Sequence, residues 1–166
     1  MAISNFSEYL EDLCKRHVDV KHSLTAKHFV DSEAEQDTSE DTKLCYPAVI
    51  LSKGSFAYSG SPDAYTKGYS YNLFVLEHIT DTGDYEQIRT KRAFCSMILD
   101  ELLQKIMEDK RARKYPFLTM FTLSGIEGDD VENIDNALYG VMVELSIDSP
   151  FPIKICREAF ESEPEL

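Results

Sequence analysis

From Tyr85 onward the apolar residues fall in two adjacent columns with four-residue spacing. One column is Phe94, Ile98, Leu102 and Ile106; the other is Cys95, Leu99, Leu103 and Met107. Residues four apart share a helical face, so the two columns form one broad apolar stripe. Asp100, Glu101, Gln104, Lys105, Glu108 and Asp109 fall outside it and are expected to face water. The spacing predicts a long helix over 84–110, built to lie on a sheet. The segment before it, Tyr69–Ile79, is rich in aromatic and β-branched residues and reads as a strand. Thr80, Asp81, Thr82, Gly83 and Asp84 break the pattern between the two.

The same reading extends along the chain. Ile3, Phe6, Leu10, Leu13 and His17 recur every three or four residues and predict a helix over 5–17, with Asn5 and Glu8 as a capping box. Val18, Val20, Leu24, Phe29 and Val30 fit an extended segment over 18–30. Leu44–Ser52 reads as a strand whose Pro47 belongs at an edge or a bulge, because proline cannot donate to a ladder. Lys53–Gly68 has the Gly, Ser and Pro content of a loop. Arg111–Tyr115 ends the long helix at Pro116. Phe117–Ser124 reads as a strand and Gly125–Asn136 as an acidic turn. In Leu138–Ile147, Tyr139, Val141, Val143, Leu145 and Ile147 alternate with Gly140, Met142, Glu144 and Ser146, the period of a strand with one apolar face. The strands join through turns rather than repeated helical crossovers. This predicts an α+β fold: a single, mostly antiparallel sheet with one long amphipathic helix packed on it, plus an N-terminal helix. Residues 1–157 form one domain and 158–166 a polar tail.

With 166 residues, 43% of them hydrophobic and 28% charged, the chain can bury one sizeable core. Its net charge of -13 opposes binding to duplex DNA and to anionic membrane surfaces. The basic run Lys110–Lys114 is short, follows Glu108 and Asp109, and reads as a solvated helix end. Cys14, Cys45, Cys95 and Cys156 show no C-x-x-C pairing and read as buried reduced thiols. The N-terminus shows no basic region followed by an apolar run, and no apolar segment approaches about 18 residues. The expected location is cytoplasmic or within a virion, away from membranes.

Asp31–Thr42 is the most polar run and is expected to be a mobile acidic loop carrying Asp31, Glu33, Glu35, Asp37, Glu40 and Asp41. It lacks the glycine of an EF-hand loop, and Asp129–Asp135 lacks both the glycine and the alternation of ligands. Both read as solvated clusters, with a divalent ion as the lesser alternative. His17, His22 and His28 lie close in sequence but form no i,i+4 pair with a glutamate, and no cysteine pair supports them. There is no G-x-S-x-G, no Walker A motif and no G-x-G-x-x-G. The chain is therefore expected to be non-enzymatic, with no cofactor or metal. The strongest functional weight falls on Lys53–Gly68, where Phe56, Tyr58 and Tyr65 are unusually aromatic for a loop. They are either interface residues or side chains folded back on the sheet in a long bent hairpin.

The order and lengths of these elements, from about Ile3 to Ile155, resemble the small tail-terminator and tail-completion proteins of tailed bacteriophages and their head–tail connector relatives. The resemblance is one of pattern: N-terminal helix, Leu44–Ser52 strand, long loop, Tyr69–Ile79 strand, long helix, and a final hairpin ending in the strand that carries Leu138–Leu145. The large acidic insertion at Asp31–Thr42 departs from it. The resemblance implies a structural homo-oligomer, commonly a hexameric ring, at the tail end or head–tail joint, with other phage structural proteins as partners. A small acidic inhibitor or adaptor that binds a basic surface is the alternative.

Overall fold

A computed structural model describes residues 3–32, 44–61, 63–134 and 137–150. Its elements are α1 (Phe6–Arg16), β1 (Lys27–Asp31), β2 (Leu44–Ser61), β3 (Ala64–His78), α2 (Tyr85–Arg111), β4 (Gly128–Ile134) and β5 (Leu138–Pro150). The strands form one sheet in the order β1-β2-β3-β5-β4, parallel only between β1 and β2. The fold is α+β, with the long and the N-terminal helix as expected.

Helix α1 begins where Asn5 Oδ1 accepts the Glu8 backbone N–H at 2.9 Å. The return arm of the predicted capping box reaches one residue further out: the Glu8 carboxylate accepts from Ser4 N at 2.8 Å and Ser4 Oγ at 2.9 Å. Those bonds hold its pKa below the ordinary glutamate value. Asp84 caps α2 by accepting from Glu86 N and Gln87 N.

Both helices lie on the sheet face that carries Val49, Leu51, Leu73, Val75, Val141, Val143 and Leu145. From α2 the stripe residues Cys95, Ile98, Leu99, Leu102 and Ile106 enter this core; from α1, Tyr9, Leu10 and Leu13 do. The other sheet face carries Val30, Ile50, Phe74 and Met142 in one cross-strand row, all half-buried.

Four sequence expectations are corrected. Asp109, expected to face water, is 1% exposed at the end of α2. Phe117–Ser124 is not a strand: Pro116–Leu118 forms a 3-10 turn, and Leu118 and Phe121 enter the core at three-residue spacing. Pro116 presets the turn, and Leu118 N, Thr119 N and Phe121 N bond backward three residues each, satisfying the chain locally. The acidic turn Gly125–Asn136 contains β4, an edge strand whose Asp129, Asp130 and Glu132 stay in water. Charge on an edge strand discourages further pairing, which is why its composition hides it. Finally, Lys53–Gly68 is not a loop. It is the distal part of a long antiparallel hairpin, with β2 running to Ser61 and β3 starting at Ala64.

Pro47 marks an irregularity, one of the two places expected for it. The β1–β2 register jumps from Lys27–Leu44 to Phe29–Val49 around it, and His28 Nδ1 donates to the Pro47 carbonyl at 2.8 Å. Asp31 ends β1 and accepts a hydrogen bond from Ser7 Oγ of α1. Glu33, Glu35, Asp37, Glu40 and Asp41 lie outside the described residues, as do Cys156 and the polar tail. Cys14 and Cys95 are buried and Cys45 is half-buried. Burial, reinforced by the nearby Glu77 carboxylate, pushes the Cys95 thiol up to about 12; burial likewise raises Cys14.

Candidate functional site

The hairpin arm gains its aromatic face from one extra residue. Cross-strand partners share a face, so Leu51–Leu73 and Lys53–Tyr71 continue the core row outward. Between Lys53–Tyr71 and Phe56–Tyr69, β2 advances three residues while β3 advances two, which is a β-bulge. The bulge returns Phe56 and Tyr58 to the core-facing side of the sheet. Phe56–Tyr69, Tyr58–Lys67 and Gly60–Tyr65 then carry that side past the helices. Tyr71 still packs on Phe6 of α1, with ring centroids 5.3 Å apart. Beyond it, β2 is exposed from Gly54 to Ser61.

On this side Phe56 meets Tyr58 edge-on at 6.0 Å and Tyr69 at 6.0 Å. The Lys67 ammonium sits 4.5 Å from the Phe56 ring centre, 5.0 Å from Tyr69 and 5.4 Å from Tyr58. Lys53 lies 5.0 Å from the Tyr69 ring centre. The Tyr69 and then the Tyr58 side chain favour the charged amine and hold the Lys67 pKa above its ordinary value. Phe56 and Tyr58 nevertheless remain 56% and 53% exposed. Tyr65 is 40% exposed and stands opposite Gly60 near the tip, whose φ of 114° suits glycine. The opposite side of the arm is hydroxylic: Ser59 Oγ lies 2.8 Å from Thr66 Oγ1, and Ser70 Oγ donates to Ser55 O at 3.1 Å.

The structure thus joins Phe56 and Tyr58 in one cluster, places Tyr65 further out, and adds Tyr69, Lys67 and Lys53, which the sequence reading left aside. Their signal was present as alternation: Tyr65, Lys67, Tyr69 and Tyr71 interleave with Thr66, Gly68 and Ser70. An aromatic, cationic surface of this kind binds by contact area and cation–π attraction. It offers no arrangement of nucleophile, base and orienting group.

His22 and His28 are turned to backbone groups. His22 Nδ1 accepts from the backbone N–H of both His28 (3.1 Å) and Phe29 (3.0 Å), while His28 Nδ1 is turned to Pro47. His17, Asp19 and Glu101 do come together, and the His17 side chain is 9% exposed. But His17 Nδ1 accepts the Asp19 N–H at 3.2 Å, so the ring proton belongs on Nε2. Nε2 lies 3.0 Å from Glu101 Oε2 but is not aligned for a hydrogen bond, and the proton on it leaves no lone pair there for an ion.

Two lysines of the basic run at the end of α2 are held by bonds within the chain. Lys110 Nζ donates to the Phe121 carbonyl, and Lys114 Nζ reaches Asp109 Oδ1 at 2.6 Å. Arg111 and Arg113 are exposed. Among the described residues, two shallow depressions flank the sheet. One, of 330 Å³, is lined by Met120, Ile126, Glu127, Leu145 and Asp148 among others; the second, of 470 Å³, lies between Tyr85, Arg92 and Tyr139. No protein-family model matches the chain, and no significant match to a curated protein is found.

Proposed function

We propose that the chain is a non-enzymatic structural protein that assembles with copies of itself into a ring, at the tail end or head–tail joint of a tailed bacteriophage. The observation that carries the reading is the hairpin arm. A sheet face that is core at one end continues outward as Phe56, Tyr58 and Tyr69, with the first two more than half exposed. Exposed aromatics on a paired strand are costly in water and useful in an interface. The net charge of -13 suits a ring through which DNA passes, because a lumen that does not adsorb phosphate does not stall it. Whole particles or partner proteins of phage origin are the implied setting.

A second reading, an acidic inhibitor or adaptor, draws on the exposed Asp129, Asp130 and Glu132 of β4. Negative-stain microscopy of the purified chain tests the choice. Closed rings of uniform diameter support the first. Isolated particles of single-chain size, together with tight binding to a basic protein that is lost on neutralising 129–132, support the second and overturn the first.

A further inference from the structure

The arm has two unlike flanks. On the β2 side lies the aromatic cluster with Lys67 over it. On the β5 side, past the point where Gly128 of β4 pairs with Val143, lies the 330 Å³ depression. Its floor and walls include Met120, Ile126 and Leu145, and its rim carries Glu127, Glu144 and Asp148. Met120 is 41% exposed there. In a chain of net charge -13, a lysine-topped aromatic patch is a locally cationic surface, and this depression sets Met120 and Ile126 among hydroxyls and carboxylates. The two are complementary in charge. The cluster lies on β2 and β3, and the depression at the β5 edge beyond them in the strand order β2-β3-β5.

We infer that the occupant of the β5-side depression is the arm of a second copy of this chain, with Phe56, Tyr58 and Lys67 of one copy seated against Met120, Glu127 and Glu144 of the next. Such a head-to-tail contact is heterologous, and it forms a ring where its rotation closes and an open filament where it does not. The inference rests on the assembly reading above and specifies its joint. Interfaces use such pairs of opposite sign to fix register and orientation, with aromatic area supplying the affinity.

The test is a charge exchange on the full chain, read by light scattering against concentration. Lys67→Glu, and separately the double variant Glu127→Lys/Glu144→Lys, should each raise the concentration for half-assembly by about tenfold or more. Mixing the two variants should restore assembly, because each then meets a partner of opposite sign. All the altered side chains except Lys67 are exposed, and Lys67 is half-buried, so Lys67→Met, which keeps the stem, serves as the fold-preserving companion and should weaken assembly and its salt dependence. A wild type that assembles while these variants assemble equally well overturns the joint and leaves the assembly reading standing. A wild type that stays monomeric at all concentrations overturns the assembly reading itself.

Discussion

Asp109 shows how one side chain can belong to two elements. Its carboxylate accepts from the Tyr9 hydroxyl of α1 at 3.0 Å and from Lys114 at 2.6 Å, and Lys105 Nζ lies 3.3 Å away. Burial alone would raise its pKa; the bonds from Lys114, Tyr9 and Lys105 outweigh burial and hold it below the ordinary carboxylate value. Tyr9 is pushed the other way, first by burial and then by the Asp109 charge. Around them Tyr9, Tyr115 and Phe117 pack ring to ring, with Tyr9–Tyr115 centroids at 4.9 Å. Asp109→Ala strands a buried hydroxyl and should cost about 1–3 kcal/mol, more than Tyr9→Phe, in chemical denaturation. The sign with pH follows from the depressed value. Asp109 stabilises the fold above the unfolded carboxylate pKa of about 3.9, and that contribution is lost as pH falls through the lower folded value. Asp109→Asn should lose this portion of the acid dependence; an unchanged acid limb would show that the carboxylate is not the group responsible. The position itself was legible: Asp109 follows Ile106 by three residues and Leu102 by seven, on the apolar stripe, and only its acidic character made it read as solvent-facing. Its partners were not legible, because the return of 114–121 toward α1 brings them there.

At the scale of elements, α1, α2 and β5 were legible because burial on one face imposes a period on each, and the inner part of β3 because it is rich in aromatic and β-branched residues. β5 supplies a test of register. Val143 is buried between Leu73 of β3 and Gly128 of β4, whereas Glu144 is exposed. Val143→Asp should leave an unpaired charge in the core and cost about 3–5 kcal/mol, a melting shift of roughly 10 °C, while Glu144→Ala changes little. Equal shifts in thermal melts would mean the register is off by one residue. Gly140 is the second test, because a Cβ there would overlap the Val75 carbonyl oxygen and touch Leu76 Cα at 3.0 Å. Backbone cannot rotate away, so Gly140→Ala should destabilise by about 1–3 kcal/mol through the β3–β5 pairing. The elements that were not legible share one cause. In the hairpin arm and in β4 no face is buried to the end, so polar, Gly and Ser residues are tolerated and the strands read as loop and turn. The aromatic residues of 53–68 betrayed the arm: a long bent hairpin was one of the two alternatives they raised, and the strands proved paired while the rings stayed exposed.

At the scale of the molecule, charge and the arm dominate. No described helix is long and apolar enough to cross a membrane. With a net charge of -13, and with Lys110 and Lys114 engaged internally, the chain should show no duplex DNA binding at about 150 mM salt. Micromolar binding in an anisotropy titration would promote Arg111 and Arg113 to a nucleic-acid site. The most direct measurement of the central claim is the solution mass of the full chain beside that of Phe56→Ser/Tyr58→Ser, by light scattering, with circular dichroism melting of both. The wild type should have a uniform mass at a fixed multiple of 18.9 kDa, and the double variant should melt like it but fall to the single-chain mass. A wild type of 18.9 kDa at every concentration, or a double variant that assembles fully, would contradict it.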